Sequence, residues 1–196
     1  EVENCSRAYR LHYYLPKAEP TVDIIIPTKD QYPLLKLCID SILGKTSYGN
    51  YRIVVVDNGS KEHSTLTYLD ELRQQEQCSV LPYPHAFNYS AINNHAVREL
   101  ARGEHVVLCN NDVEIITPDW IECLLEYSQR EDVGVVGAKL YYPDNRIQHA
   151  GVVVGIRGAA GHGHKRFDRE DPGYKARPHL AQNVSAVTAA LFMVKR

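Results

Sequence analysis

Residues 105–115, HVVLCNNDVEI, form a short apolar run that stops on two carboxamides and a carboxylate, Asn110, Asn111 and Asp112, before the chain turns apolar again. A brief aliphatic stretch bounded by turn formers is the pattern of a strand buried on both faces. Its polar end admits two readings, an ordinary turn or a site for a metal and a diphosphate. The segments on either side decide what kind of sheet that strand belongs to.

Upstream, TVDIIIPTKD (21–30) is an aliphatic strand stopped by Pro27, and YRIVVVDNGS (51–60) is a second. Between them Leu34, Leu35, Cys38, Ile39 and Ile42 predict one apolar stripe of a helix ending near Gly44. Residues 61–76 place Leu66, Leu69 and Leu72 at helical spacing, and a third strand is expected at 79–81. FNYSAINNHAVRELARG (87–103) carries Ile92, Ala96 and Leu100 on one face before Gly103. After the opening strand, Thr117 is expected to cap a helix with Pro118 at its first position and Trp120, Ile121, Leu124, Leu125 and Ser128 facing inward. Strands alternating with helices of this length predict an α/β fold, a Rossmann-like doubly wound, mostly parallel sheet flanked by helices. In such a sheet ligands bind outside the carboxyl ends of the strands.

From Val133 the pattern changes. VGVVGAKLYY (133–142), IQHAGVVVG (147–155) and SAVTAALFMVKR (185–196) read as strands, whereas 158–174 reads as a long loop rich in glycine, histidine and charge, of the kind that carries function. His149 begins a strand in QHAG and is, with His162 and His164, a candidate for the acceptor or phosphate side. His162 and His164 in GHGHK would lie on one side of an extended chain, either as plain loop residues or as metal or phosphate contacts on the acceptor side. Lys165, Arg166, Arg169 and Arg177 make the same segment locally basic, either as a solvated loop or as contacts to a donor diphosphate or a lipid-linked acceptor phosphate.

A length of 196 residues favours one domain, expected at 21–196, with the tyrosine-rich residues 1–20 a connector from an upstream segment. A formal net charge of -2 gives no bulk reason to bind nucleic acid. No apolar run is long enough to span a bilayer, and the N-terminus lacks a signal pattern. Of the five cysteines, Cys5, Cys38, Cys78, Cys109 and Cys123, three (Cys38, Cys109 and Cys123) sit among aliphatic residues. They read as reduced thiols used as small core residues, which points to the cytoplasm, and no zinc-type spacing is present. Pro27-Thr28 stands where a nicotinamide-binding fold needs Gly-x-Gly-x-x-Gly, which argues against a dehydrogenase, and a P-loop is absent.

In order, VDIIIPTKD, IVVVDNGS, FNYSAINNHA, LCNNDVEIITPDW and VGAKLYYPDNRIQHAG resemble the family 2 glycosyltransferases with the GT-A fold, especially bacterial enzymes of surface-polysaccharide assembly. The resemblance runs from about Val22 to the last residue. It implies metal-assisted, inverting transfer of a sugar from a nucleotide-diphosphate donor to a saccharide or lipid-linked acceptor in the cytoplasm, with Mn2+ or Mg2+ as cofactor and a possible peripheral membrane contact. It places Asn110, Asn111 and Asp112 on the family's Asp-x-Asp position, Asp112 as the metal-facing acid and Asn110 as an uncharged oxygen donor. Pro27 and Thr28 match the loop along the nucleotide, and Asp57 the acid that accepts a hydrogen bond from the base. Asn93 matches the asparagine of an Ala-Arg-Asn pattern whose arginine is Ile92 here. Each has a plainer reading: Thr28 as a helix cap, Asp57 as a turn former, Asn93 as a polar residue on a helix face. The resemblance puts the general base beyond Arg196, in a C-terminal part of the domain that is missing here. A non-catalytic nucleotide-binding module is therefore the competing reading. The motifs leave the sugar open among rhamnose, galactose and N-acetylated hexoses.

Overall fold

A computed structural model describes residues 9–196. Cys5 and the first part of the 1–20 connector lie outside the described residues. In chain order the elements are β1 (Val22–Thr28), α1 (Tyr32–Lys45), β2 (Tyr51–Asp57), α2 (His63–Leu72), β3 (Cys78–Pro82), α3 (Tyr89–Glu99), β4 (His105–Cys109), α4 (Trp120–Ser128), β5 (Val136–Gly137), β6 (Leu140–Tyr141), β7 (Ile147–His149), β8 (Val152–Val154), β9 (Ala160–His162) and β10 (Leu191–Lys195). They fall into two compact units: Leu15–Val135 with Ala189–Arg196, and Val136–Thr188 with residues 9–14.

The larger unit holds strands in the order β3-β2-β1-β4-β10, with β1, β2, β3 and β4 mutually parallel and β10 antiparallel to β4. The aliphatic runs explain this arrangement, since strands apolar at every position can only sit inside a sheet covered on both faces. Ile25, Val54, Val56 and Val106 form one cluster with Ile92 and Ala96 of α3. By the alternation of strand side chains, Ile24, Ile26, Ile53, Val55 and Val107 face the other way, and they too are fully buried.

The helical stripes are mostly as expected. All five inward residues of α4 are buried, whereas in α1 Leu34 is exposed while Leu35, Cys38, Ile39 and Ile42 are buried. In α2, Thr65 and Tyr68 join Leu69 and Leu72 inside, and Leu66 turns to solvent. The expected Thr117 cap is not made. The Pro118 carbonyl accepts from Ser47 N at 3.0 Å and Ser47 Oγ at 2.9 Å, and the helix starts at Trp120 with Asp119 at its cap. Cys38, Cys78 and Cys109 are buried free thiols, with Cys123 only partly covered; burial pushes the Cys78 pKa up to about 11.

One buried acid latches the amino end of the sheet. Asp23, fully buried in β1, accepts from Arg52 Nε at 3.0 Å and Nη2 at 2.6 Å, and from the backbone N–H of Arg102 at 2.6 Å and of Gly103 at 2.5 Å. A Cβ on Gly103 would lie 2.7 Å from the Thr21 carbonyl oxygen, so the approach of this turn to β1 requires glycine.

In the smaller unit β6 pairs antiparallel with β7, and β8 with β9. The stretch 158–174, expected to be one loop, contains β9. Gly155, at φ 96, turns the chain so that Val152–Val154 can pair with Ala160–His162.

Candidate functional site at the carboxyl ends of β1, β2 and β4

Strand register sets the site. Thr28 lies opposite Asp57 at the ends of β1 and β2, and β4 runs beside β1 through Ile25 and Leu108, so three strand ends share one edge. Hydrogen bonds then tie their loops together. Asn111 Nδ2 donates to Thr28 Oγ1 at 3.0 Å, and Asn58 N donates to the Thr28 carbonyl at 2.8 Å. Asp30 N donates to Ser60 Oγ at 2.8 Å, while Asp30 Oδ1 accepts from Lys61 N at 2.6 Å and Glu62 N at 2.8 Å ahead of α2. These contacts to backbone N–H groups hold the half-buried Asp30 carboxyl below the usual carboxylate range.

The individual residues differ in what they offer. Asp112 is exposed, and its carboxylate has no hydrogen-bond partner among the described residues. Asn110 is half-buried; its N–H donates to Ala190 O at 2.8 Å and its carbonyl accepts from Cys38 Sγ at 3.6 Å, which fixes the backbone under Asp112. Asp57 Oδ1 accepts from Ser60 N at 2.9 Å, so the turn role is real, and Oδ2 stays available. Pro27 is half-buried and Thr28 buried, its hydroxyl held by Asn111 rather than capping α1, where Gln31 stands at the cap without a side-chain bond. Asn93 is nearly fully buried on α3, its Nδ2 donating to Tyr89 O at 2.8 Å and its Oδ1 without a partner among the described residues. Ile92 beside it is a core residue.

Two residues of this edge hold neighbouring loops together, a role to which the sequence reading assigned neither. Asp30 staples the loops after β1 and β2, and Asn58 donates to Tyr83 O at 2.9 Å and His85 O at 2.8 Å, holding the loop after β3. Both lie inside the motifs quoted above, but their partners are about 25 to 30 residues away and carry no mark in the sequence.

No group of three or more His, Cys, Asp or Glu able to hold a metal occurs among the described residues. The donor set at the edge still fits a hard divalent cation, because Mg2+ is commonly held by one or two carboxylates with phosphates and water completing the shell. Asp112 would supply the charge and Asn110 a neutral oxygen.

In the smaller unit, the expected pairing of His162 with His164 is not formed. His164 adopts φ 55, which breaks the extended chain after β9, and its ring packs on Phe167 at 5.4 Å between centroids. The partner of His162 is His149, with Nδ1 atoms 2.8 Å apart. Thr188 N donates to His149 Nε2 at 3.3 Å, so His149 carries its proton on Nδ1 and donates it to His162. Burial, then the His162 ring, pushes the His149 pKa down to about 4.

Comparison with known proteins places this geometry among relatives. Residues 23–191 match the family model for glycosyl transferase family 2. The chain is 52% identical over 178 residues to the uncharacterized protein y4gI of Sinorhizobium fredii, covering 90% of this chain and 20% of that protein. It is 38% identical over 190 residues to the O-antigen biosynthesis protein RfbC of Myxococcus xanthus, covering 96% of this chain and 15% of that protein. It thus spans a fifth or less of the length of these relatives. Among solved structures, the mannosyltransferase PcManGT of Pyrobaculum calidifontis, in complex with GDP-Man and Mn2+, superposes with a TM-score of 0.57 at 22% identity, over 69% of this chain and 40% of that one. The TarS fragment 1–349 of S. aureus gives 0.54 at 20% identity, over 64% and 37%. At these identities the two structures speak to the fold.

Proposed function

This chain belongs to glycosyl transferase family 2, with the GT-A fold, and on that premise we propose that it binds a nucleotide-diphosphate sugar at the carboxyl edge of β1, β2 and β4 for transfer, with inversion, to a saccharide or lipid-linked acceptor. The observation that carries the reading is the position of Thr28. It registers with Asp57 on one side and receives the Asn111 amide on the other, so a base-reading acid and a diphosphate-facing loop border one edge.

In this reading the free Asp57 oxygen accepts an N–H of the base, and Pro27 and Thr28 line the nucleotide. Asn111 positions the loop through Thr28, while Asn93, with its unsatisfied Oδ1, borders the donor from α3. Asp112 and Asn110 would hold Mn2+ or Mg2+, which when bound neutralises the charge that builds on the departing diphosphate. PcManGT was solved with GDP-Man and Mn2+, in line with this chemistry. Residues 21–196 would form the donor-binding domain, fed by 1–20, working at the cytoplasmic side; no helix among the described residues is long and apolar enough to cross a membrane.

Titration calorimetry with UDP, GDP and dTDP in the presence of Mn2+ tests the site. The protein is expected to bind one of them with an affinity that Asp112→Ala weakens by at least about tenfold, which is roughly 1.4 kcal/mol. Nucleotide binding indifferent to Asp112, or absent, overturns the assignment. Binding without transfer to any acceptor favours the nucleotide-binding module over the enzyme for this segment.

A further inference from the structure

The smaller unit buries a histidine that packing alone does not call for. His149 is 2% exposed at the end of β7, two residues after the fully buried Ile147. An aliphatic side chain would fill that place with no polar atom to satisfy. The chain instead supplies a partner at each ring nitrogen. Thr188 N donates to Nε2 at 3.3 Å, and Nδ1 lies 2.8 Å from Nδ1 of His162, with the two rings at 88° to one another.

Backbone contacts from three segments of the unit hold this arrangement. Strand pairing sets His162 of β9 opposite Val152 of β8, and Gly163 N donates to Gly151 O at 3.0 Å. Val152 N donates in turn to Ala186 O at 3.1 Å, which carries the 184–188 stretch past His149. At Gly151, with φ +97, a Cβ would come within 2.8 Å of Val184 Cγ1, so Thr188 reaches its place only because that position has no side chain.

Each neutral imidazole offers one N–H and one lone pair, and here the four are assigned in sequence. The Thr188 N–H occupies the lone pair of His149, so the His149 proton sits on Nδ1; that proton occupies the lone pair of His162, so the His162 proton sits on Nε2. Neither ring keeps a lone pair for a metal ion or for the proton of an attacking hydroxyl. Burial, then the His162 ring, holds the His149 pKa at about 4, so His149 stays a neutral donor at ordinary pH. One group points outward from the pair. His162 is half-buried, and its Nε2–H has no partner among the described residues.

We propose that His162 donates its Nε2–H to a hydroxyl or ring oxygen of a saccharide, and that His149 is the positioning residue that keeps the His162 proton on that nitrogen. An uncharged donor of fixed tautomer suits an uncharged oxygen, whereas a phosphate is met better by a charged donor. Saccharides are the uncharged, oxygen-rich ligands that a chain of glycosyl transferase family 2 handles. That the sugar takes part in a transfer rests on the reading of the preceding subsection; the hydrogen bond from His162 does not.

The test is nitrogen-15 NMR of the whole chain labelled at histidine, near neutral pH, titrated with methyl rhamnoside, methyl galactoside and N-acetylglucosamine, then with the corresponding nucleotide sugars and Mg2+. His149 is expected as the Nδ1–H tautomer and His162 as the Nε2–H tautomer, and at least one sugar is expected to shift the His162 Nε2 signal saturably while inorganic phosphate does not. Read on the sugar's own proton signals, His162→Phe and His149→Leu are each expected to weaken that sugar at least about fivefold. His149→Asn, whose amide N–H can stand in for the Nδ1 donor, is expected to restore most of the loss. Should His149→Leu misfold, the tautomers of the parent chain and His162→Phe decide. A shift with a free glycoside places the sugar on the acceptor, and a shift with nucleotide sugars alone places it on the donor; both support the contact. His162 found as the Nδ1–H tautomer, no shift with any of these sugars, an equal shift with phosphate, or His149→Asn no better than His149→Leu overturns it. UDP with Mg2+ separates the two readings: if the parent chain fails to bind it while a glycoside still depends on His162, the donor assignment falls and the His162 contact stands.

Discussion

Asp23 and Asp57 are two acids in consecutive strands with opposite duties. Both lie in runs that read as plain apolar strands, VDIII and YRIVVVD, and the difference between them comes from what the chain brings up from afar. Asp23 meets Arg52 and the N–H groups of Arg102 and Gly103, partners 29 to 80 residues away, and has no oxygen left for a ligand. Asp57 meets only the N–H three residues on and keeps one oxygen. Removing Asp23 strands two backbone donors and a guanidinium, so Asp23→Ala is expected to cost roughly 3 kcal/mol in urea unfolding, with Asp23→Asn losing less because its amide oxygen still accepts. At this level the placement of a residue at the sheet edge was legible where it ends or closely follows its own strand, as for Thr28, Asp57 and Asp112. The contacts a residue makes with remote partners were not, as for Asp23, Asp30 and Asn58.

Helix ends and helix faces were read with unequal success, and the reason is physical. The inward stripe of α4 follows from 3.6-residue periodicity alone, whereas its start depends on what captures the Pro118 carbonyl, and Ser47 does so from a loop 71 residues earlier. Similarly α2 buries Thr65 and Tyr68 in preference to Leu66, because the Tyr68 hydroxyl reaches Asp40 of α1 at 3.4 Å and Thr65 Oγ1 reaches Glu62 at 2.7 Å. The α3 start is a local matter: Asn88 Oδ1 accepts from Ala91 N at 3.0 Å. Asn88→Ala is accordingly expected to destabilise the protein by about 1 kcal/mol, read in the same unfolding assay. A loss much smaller than that would mean that the packing of Ile92 and Ala96 on the sheet sets the helix start by itself.

Taken whole, the molecule is tuned by buried histidines as well as by its sheet. His149, His105 and His164 all have pKa values lowered by burial, that of His149 to about 4. The unfolded chain therefore takes up protons near the ordinary histidine value while the folded chain does not, so the stability these groups contribute is complete above about pH 6.5 and is lost as the pH falls toward 4. Thermal unfolding followed from pH 7 to pH 4 is expected to show a falling midpoint, with a shallower slope in His149→Gln; an unchanged slope would remove His149 as a source. The parallel order of the first four strands was readable from strand-helix alternation, but the antiparallel β10 was not, since an aliphatic run carries no arrow. That reversed strand has a consequence for biosynthesis. Ala190, which receives the Asn110 amide, and Leu191, which pairs with Cys109, leave the ribosome some 80 residues after the loop they anchor. On a nascent chain paused earlier, β4 has an unpaired flank and the turn after it is untethered, so this edge of the sheet is completed only late in translation.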